Sequence, residues 1–357
     1  MVLVLTGGFL GSGKTTAIVA AARLLMAQGK RIAVITNDQG DQQVDTAFVE
    51  SLGITTREVS NGCFCCNYNQ LDSHLQSLQE NEQPDYIFAE SVGTCTDLIA
   101  TLAKPLQDFR PEIKVLITIF ADAALLSSIL EGRSTFQEDS VRYIYKKQLE
   151  EADLLVINKM DLVSDGQSKR IDEVIKTEYP GKKILYQSSL RDVDVSSWLK
   201  NIEEFNAIGR DSLTIDYEVY GEGESKLAWL DKNITISTNN EDAVFVVQRT
   251  IGYIVDQIQS RHIIIGHLKF FIDTGDFSQK VSVTTTTTGR DVKLRPAAAK
   301  RVNLLINARV ETDPATLEKL VDDVLLNVQS IHQCKIDHGK WSIFKPGFPR
   351  PTYRIVG

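Results

Sequence analysis

Residues 2–30, VLVLTGGFLGSGKTTAIVAAARLLMAQGK, constrain this chain more than any other stretch. The run VLVLT is short and apolar, as expected of a strand buried on both faces. Gly8 to Thr15 then fits G-x-x-x-x-G-K-[ST], and a helical stretch follows, which is the strand–loop–helix setting the motif requires. Gly8, Gly11 and Gly13, with Ser12 between the last two, let successive backbone N–H groups turn inward around phosphate oxygens. The helix N-terminus at Thr15 and Thr16 adds partial positive charge. Lys14 would reach the β- and γ-phosphates, and the Thr15 hydroxyl would ligate Mg²⁺.

Further strand candidates alternate with helices at 31–36, 54–59, 85–90, 113–120, 153–158 and 183–187. Such alternation predicts a doubly wound, mostly parallel sheet whose ligands gather at the strands' carboxyl ends. Polar residues stand there: Asn37, Asp38, Asp41 and Asp45 after the second strand, Glu90 and Gly93 after the fourth, Asp122 after the fifth. A helix cap or turn is the plain role for Asp122, and Asp45 divides between a cap and a functional role. After the sixth strand comes NKMD, with Asn158, Lys159 and Asp161. A carboxylate so placed can accept from guanine N1–H and the exocyclic amine, a donor pair that adenine lacks, so the motif selects GTP over ATP.

NGCFCCN, residues 61–67, packs Cys63, Cys65 and Cys66 into four positions. Thiolates at this spacing can converge on one soft or borderline ion. Cys63 and Cys66 also have the C-x-x-C spacing of a redox pair, so that alternative stays open. Cys95 has a plainer role as a small buried residue, with a fourth thiolate ligand as the sharper alternative. His74 is expected to be exposed and His267 to be a packed core histidine.

Composition narrows the setting. The Met-Val-Leu-Val-Leu start carries no basic segment and reads as a strand, not a leader. No apolar run approaches a membrane span. The expected compartment is therefore the cytoplasm, where thiols stay reduced, which disfavours a disulfide. A net charge of −8 argues against a nucleic-acid binder.

GGFLGSGKTT, NDQGDQQVD, GCFCC, ESVG and NKMD, in that order, resemble the CobW-like GTPases, which are grouped with the nickel-insertion GTPases of urease and hydrogenase maturation. The resemblance is close over 1–205 and looser beyond. It implies a GTP-hydrolysing protein that binds a transition metal and delivers it to a client. Asn37-Asp38-Gln39-Gly40-Asp41 stands where the family usually has Asn-Glu-x-Gly-Glu, and no His-rich run is present.

Beyond 206 the pattern turns to long alternating strands at 226–238, 262–273, 278–288 and 301–310, with helices at 241–259 and after Asp313-Pro314. That order predicts an α+β domain of ferredoxin-like type. The expected division is a P-loop NTPase domain at 1–205, a linker at 206–225, an α+β domain at 226–334 and a basic tail at 335–357. The tail would be either a strap or a docking segment.

The whole predicts a GTPase acting as metallochaperone or metalloenzyme activator. Lys14, Glu90 and Asp38 carry the chemistry; Thr15, Asp38 and Glu90 surround Mg²⁺; Cys63, Cys65 and Cys66 hold Zn²⁺, Co²⁺ or Ni²⁺. Partners are GTP or GDP and a client metalloprotein, with neither membrane nor nucleic acid, and a second copy of the chain is entertained. The competing reading is a metal sensor or store whose site is not driven by hydrolysis. A kinase-like ATP-dependent transferase is a third, which NKMD argues against.

Overall fold

Uninterrupted apolar runs need cover on both faces, and the front-half runs obtain it as central strands of a parallel sheet. The computed structural model describes residues 1–40, 43–130, 139–206, 209–284 and 292–356. Its strands are β1 (Val2–Gly7), β2 (Ile32–Asn37), β3 (Thr55–Val59), β4 (Tyr86–Glu90), β5 (Lys114–Asp122), β6 (Leu154–Asn158) and β7 (Lys183–Tyr186). They form one sheet in the order β3-β2-β4-β1-β5-β6-β7, parallel throughout. Strand order reverses around β1, so the loop after it opens at the switch point of the sheet. All five residues of β2's neighbour β4 are buried, as are all five of β6.

The second sheet is antiparallel and holds β8 (Ala228–Ser237), β9 (Ile265–Asp273), β10 (Ser278–Val283), β11 (Arg301–Val310) and β12 (Lys335–Phe344), in the order β10-β9-β11-β8-β12. Without β10, which pairs only with β9, the order β12-β8-β11-β9 is that of a ferredoxin-like domain. Helix Ala243–Ser260 buries Val244, Val247, Ile251, Val255 and Ile258 in the core of this unit. Helix Pro314–His332 is opened by Asp313, whose carboxylate accepts from Thr316 N at 2.9 Å.

The chain divides into two units, and the division differs from a single boundary near 206–225. One unit is residues 1–39, 53–223 and 348–357; the other is 40–52 and 224–347. Helix Tyr217–Ser225 occupies much of the expected linker. Residues 335–344 are not tail but β12, paired with β8. Helix Val44–Ser51 belongs to the second unit because Asp45 pairs there with Lys269 and Lys280, and Val44 N donates to Asn307 Oδ1 at 2.8 Å. Burial pushes the Asp45 carboxyl up, but the two ammonium groups outweigh it and hold it well below the usual range. Asp45 is thus an anchor. His267 is buried in β9, and His74 is half-buried with Nε2 3.0 Å from Glu58 O. Asp41 and most of Thr284–Thr288 lie outside the described residues.

Candidate nucleotide and metal site

The loop after β1 takes positive φ at Gly8 (124°), Gly11 (73°) and Gly13 (92°). A Cβ at Gly8 would lie 2.1 Å from Phe120 O, and one at Gly13 2.4 Å from Asn158 Nδ2. Glycine is therefore required by contact as well as by φ. Lys14 is buried, and its Nζ donates to Gly8 O at 2.8 Å, so the ammonium lies inside the loop. Thr15 and Thr16 open helix Lys14–Ala27.

Thr15 Oγ1 donates to Glu90 Oε1 at 3.0 Å, and both residues are buried. Of the residues expected around Mg²⁺, these two meet directly. Asp38, at the end of β2, turns a carboxylate oxygen to Gln39 N at 2.7 Å. Gly93 lets the segment after Glu90 close on the phosphate loop, since a Cβ there would lie 2.5 Å from Leu10 Cδ2.

Past β6, Asn158 is a brace. Its amide donates to Ser12 O at 2.8 Å, and its oxygen accepts from Ser189 N (3.0 Å) and Ser189 Oγ (2.8 Å). Ser189 escaped the sequence reading; its position just after β7, at the same sheet edge, was the available clue. Lys159 takes φ 62° and pairs with Asp122 at 2.7 Å. Asp122 also accepts from Ala124 N and Leu125 N, the helix-start role expected of it. Asp161 stands exposed on the short turn Met160–Leu162.

The cysteine loop follows β3. Asn61 (φ 60°) and Gly62 (φ 146°) turn the chain, and the N–H groups of Cys66 and Asn67 bond Cys63 O. Asn37, the last residue of β2, holds this loop from the side. Its amide donates to Val59 O (2.9 Å) and Gly62 O (2.8 Å), and its oxygen accepts from Phe64 N (2.9 Å). Sulfur separations are 2.7 Å for Cys63–Cys65, 3.3 Å for Cys63–Cys66 and 3.9 Å for Cys65–Cys66. The three ligand atoms form a group able to hold a metal ion.

The thiols share charge unequally. Hydrogen bonds from Cys65, Cys66 and Cys95 hold Cys63 well below the ordinary thiol value despite burial. Its bond with Cys63, reinforced by burial, pushes Cys65 well up. The same partner raises Cys66 to about 11. Thiols held above their ordinary value lose protons as a cation enters.

Residues 348–356 form a strap over this site that has no local pattern in sequence. Thr352 N donates to Cys65 O (2.8 Å), Thr352 Oγ1 to Cys66 O (2.9 Å), and Arg350 N to Cys66 Sγ (3.3 Å). Tyr353 packs edge-on against Tyr68 and Phe109. Arg354 Nε donates to Asp97 Oδ2 at 2.7 Å, which also accepts from Tyr217 OH at 2.8 Å. Burial raises the Asp97 carboxyl, and these two bonds oppose that rise. Ile355 N reaches Ala100 O in the π-helical turn Ile99–Ala103.

Residues 1–186 match the family described as "CobW/HypB/UreG, nucleotide-binding domain". Among curated proteins, a zinc chaperone CobW of Sinorhizobium is 29% identical over 210 residues, covering 52% of this chain and 58% of its own length. The zinc-regulated GTPase metalloprotein activator 1 of Dictyostelium discoideum is 29% identical, covering 50% of this chain and 44% of its own. The zinc chaperone YeiR of Escherichia coli is 32% identical over 163 residues, covering 43% and 45%. The chain thus spans about half the length of the curated relatives it matches.

Proposed function

The chain belongs to the CobW/HypB/UreG nucleotide-binding domain family, and on that premise we propose that it hydrolyses GTP and uses the cycle to load and deliver a transition metal. Zinc is the first candidate cargo, since the relatives above carry zinc in their names; Co²⁺ and Ni²⁺ are the others. A client metalloprotein receives it. The observation that carries the reading is Asn37: it terminates β2, beside the segment of Asp38, and binds the cysteine loop through three hydrogen bonds. A rearrangement at the end of β2 therefore reaches the thiolates directly.

Phosphoryl transfer asks the protein for positioning and charge. Lys14 exchanges the carbonyls of Gly8 and Phe9 for β- and γ-phosphate oxygens. The Thr15 hydroxyl and the Glu90 carboxylate beside it would hold Mg²⁺, which would supply positive charge to the phosphate oxygens. Glu90 orients the attacking water, whose oxygen bonds to the γ-phosphorus as the bond to the β-phosphate bridging oxygen breaks; the water's proton passes to the phosphate released, giving GDP and phosphate. Asp161 reads guanine from its exposed turn, and Asn158 with Ser189 keeps that turn registered on the phosphate loop. Thiols held this way need a reducing compartment such as the cytoplasm. No helix among the described residues is long and apolar enough to cross a membrane.

The test of the nucleotide half is base choice. GTP should bind and turn over where ATP does not, and Asp161→Asn should weaken GTP while improving xanthosine triphosphate, whose C2 oxygen suits an amide donor. Losing that bond pair costs about 1–3 kcal/mol, roughly ten- to hundredfold in affinity. Unchanged GTP affinity in the variant removes the guanine assignment.

A further inference from the structure

Cys95 comes to the cysteine loop from a different part of the chain. It sits on the segment that leaves Glu90, is 2% exposed, and its thiol hydrogen-bonds to Cys63 and Cys65. Its sulfur thus adjoins the group of Cys63, Cys65 and Cys66, whose own sulfurs all lie within 4.8 Å of one another. The arrangement has an inner and an outer side. Cys63 and Cys65 are each 3% exposed, Cys66 is half-buried, and Arg350 N–H approaches Cys66 from the strap. Cys95 meets the two buried sulfurs, Cys63 and Cys65.

The backbone around Cys95 is pinned on every side. Cys95 N donates to Val92 O at 3.0 Å, and Gln148 Nε2 donates to Cys95 O (2.8 Å) and Gly93 O (3.0 Å). Thr96 N donates to Tyr220 OH, while Thr96 Oγ1 and Leu98 N both donate to buried Glu151. Asp97 is held at φ 68°, in the left-handed region that a non-glycine residue enters at a cost, with Arg354 and Tyr217 on its carboxylate. These bonds fix the backbone and aim the thiol at the cluster, as a preorganised ligand requires.

We propose that Cys95 is the fourth thiolate ligand, closing Cys63, Cys65 and Cys66 into a tetrahedral four-sulfur site for Zn²⁺. The inference rests on the reading that the cysteine cluster holds the cargo metal. With Zn–S bonds of about 2.3 Å, sulfurs at the corners of a tetrahedron lie about 3.8 Å apart. Among Cys63, Cys65 and Cys66 the widest separation, 3.9 Å between Cys65 and Cys66, is already of that size; the closer pairs open, and Cys95 completes the fourth corner by moving in as the cation enters. An S₄ tetrahedron suits Zn²⁺, and Co²⁺ as its spectroscopic surrogate, over the tetragonal geometry that Ni²⁺ favours. The closed site carries a net charge of −2, which N–H donors such as that of Arg350 offset. It also explains how cargo could be felt at the phosphates: Cys95 is on the segment that begins at Glu90, the partner of Thr15.

Co²⁺ titration of the reduced full chain in the absence of oxygen tests this, with sulfur-to-cobalt charge-transfer absorption as readout. Wild type should give the intensity of four thiolates in a tetrahedral field, and Cys95→Ser should lose about a quarter of it. Zn²⁺ affinity of the variant, measured by competition with a chelator, should fall by at least the roughly 10- to 100-fold that loss of an outer-shell partner costs. Zinc-edge X-ray absorption of the wild type counts the same ligands without any variant, and four sulfurs at about 2.3 Å are expected. Three sulfurs with one lighter atom, or a Cys95→Ser spectrum and affinity equal to wild type, would overturn Cys95 as ligand while leaving the metal site standing. Wild type that takes up no Co²⁺ or Zn²⁺ would remove the cargo reading and this inference together.

Discussion

The side-chain oxygen of Asn37 accepts from Phe64 N at 2.9 Å, while its amide donates to Gly62 O at 2.8 Å. One side chain at the end of β2 therefore grips the cysteine loop from both polar ends. Asn37→Ala should release the loop. Leaving buried groups of Val59, Gly62 and Phe64 without this partner costs about 1–3 kcal/mol. Metal affinity should drop by roughly tenfold or more, and Asn37→Asp, which sets a carboxylate oxygen against the carbonyls of Val59 and Gly62, should do no better. Wild-type metal affinity in Asn37→Ala would show that the loop holds its shape unaided.

Glu90→Gln should keep nucleotide binding and lose hydrolysis, because an amide fits beside Thr15 Oγ1 but does not polarise water. Lys14→Ala should lose turnover altogether, since it removes the point charge at the β/γ bridge. Single-turnover assays with saturating GTP separate the two effects. Normal hydrolysis by Glu90→Gln would reduce that carboxylate to a structural partner of Thr15.

Metal uptake should release protons and strengthen as pH rises. Cys65 is raised well above the ordinary thiol value and Cys66 to about 11, so both are protonated at neutral pH and must ionise to bind. Cys63 is lowered by hydrogen bonds from the other thiols. Between about pH 6 and 8 the logarithm of the affinity should climb with a slope near two or more per unit. Calorimetry in buffers of different ionisation enthalpy counts the protons; a count near zero contradicts the assigned ionisation states.

Arg354→Ala should loosen the strap over the cysteines. Asp97 is fully buried, and the variant leaves it only the Tyr217 hydroxyl as the hydrogen-bond donor among its named partners. Faster zinc loss to a chelator is expected, with GTP affinity unchanged. An unaltered off-rate would mean that Thr352 and Tyr353 hold the strap without Arg354.

Much of this was written locally. Val2–Thr6 and the other apolar runs read as buried strands because burial on both faces demands an unbroken pattern, and β8, β9 and β11 follow from strand and helix spacing, whereas β12 lies in a stretch whose basic composition reads as tail. Gly8, Lys14 and Thr15 announce themselves by spacing alone. What stayed hidden depends on partners distant in the chain. Asn37 looks like any polar residue at a strand end until Gly62 and Phe64 arrive beside it. Thr352 and Arg354 sit in an unpatterned basic stretch, and only their contacts with Cys65 and Asp97 give them a role. The same holds for residues 40–52, whose membership of the second unit rests on Lys269 and Lys280 meeting Asp45. Cys95, plausible as a small core residue, gains its second meaning from three cysteines some thirty positions away.

Coupling between nucleotide state and metal occupancy is tested most directly by titrating Zn²⁺ into the protein twice, once with a non-hydrolysable GTP analogue and once with GDP. The two affinities should differ by about ten- to hundredfold, a coupling of about 1.4–2.7 kcal/mol, and Zn²⁺ should change affinity for the analogue relative to GDP by the same factor. Equal zinc affinities in both titrations, with stoichiometric metal bound, would contradict it and leave a protein that stores or senses metal without using the nucleotide.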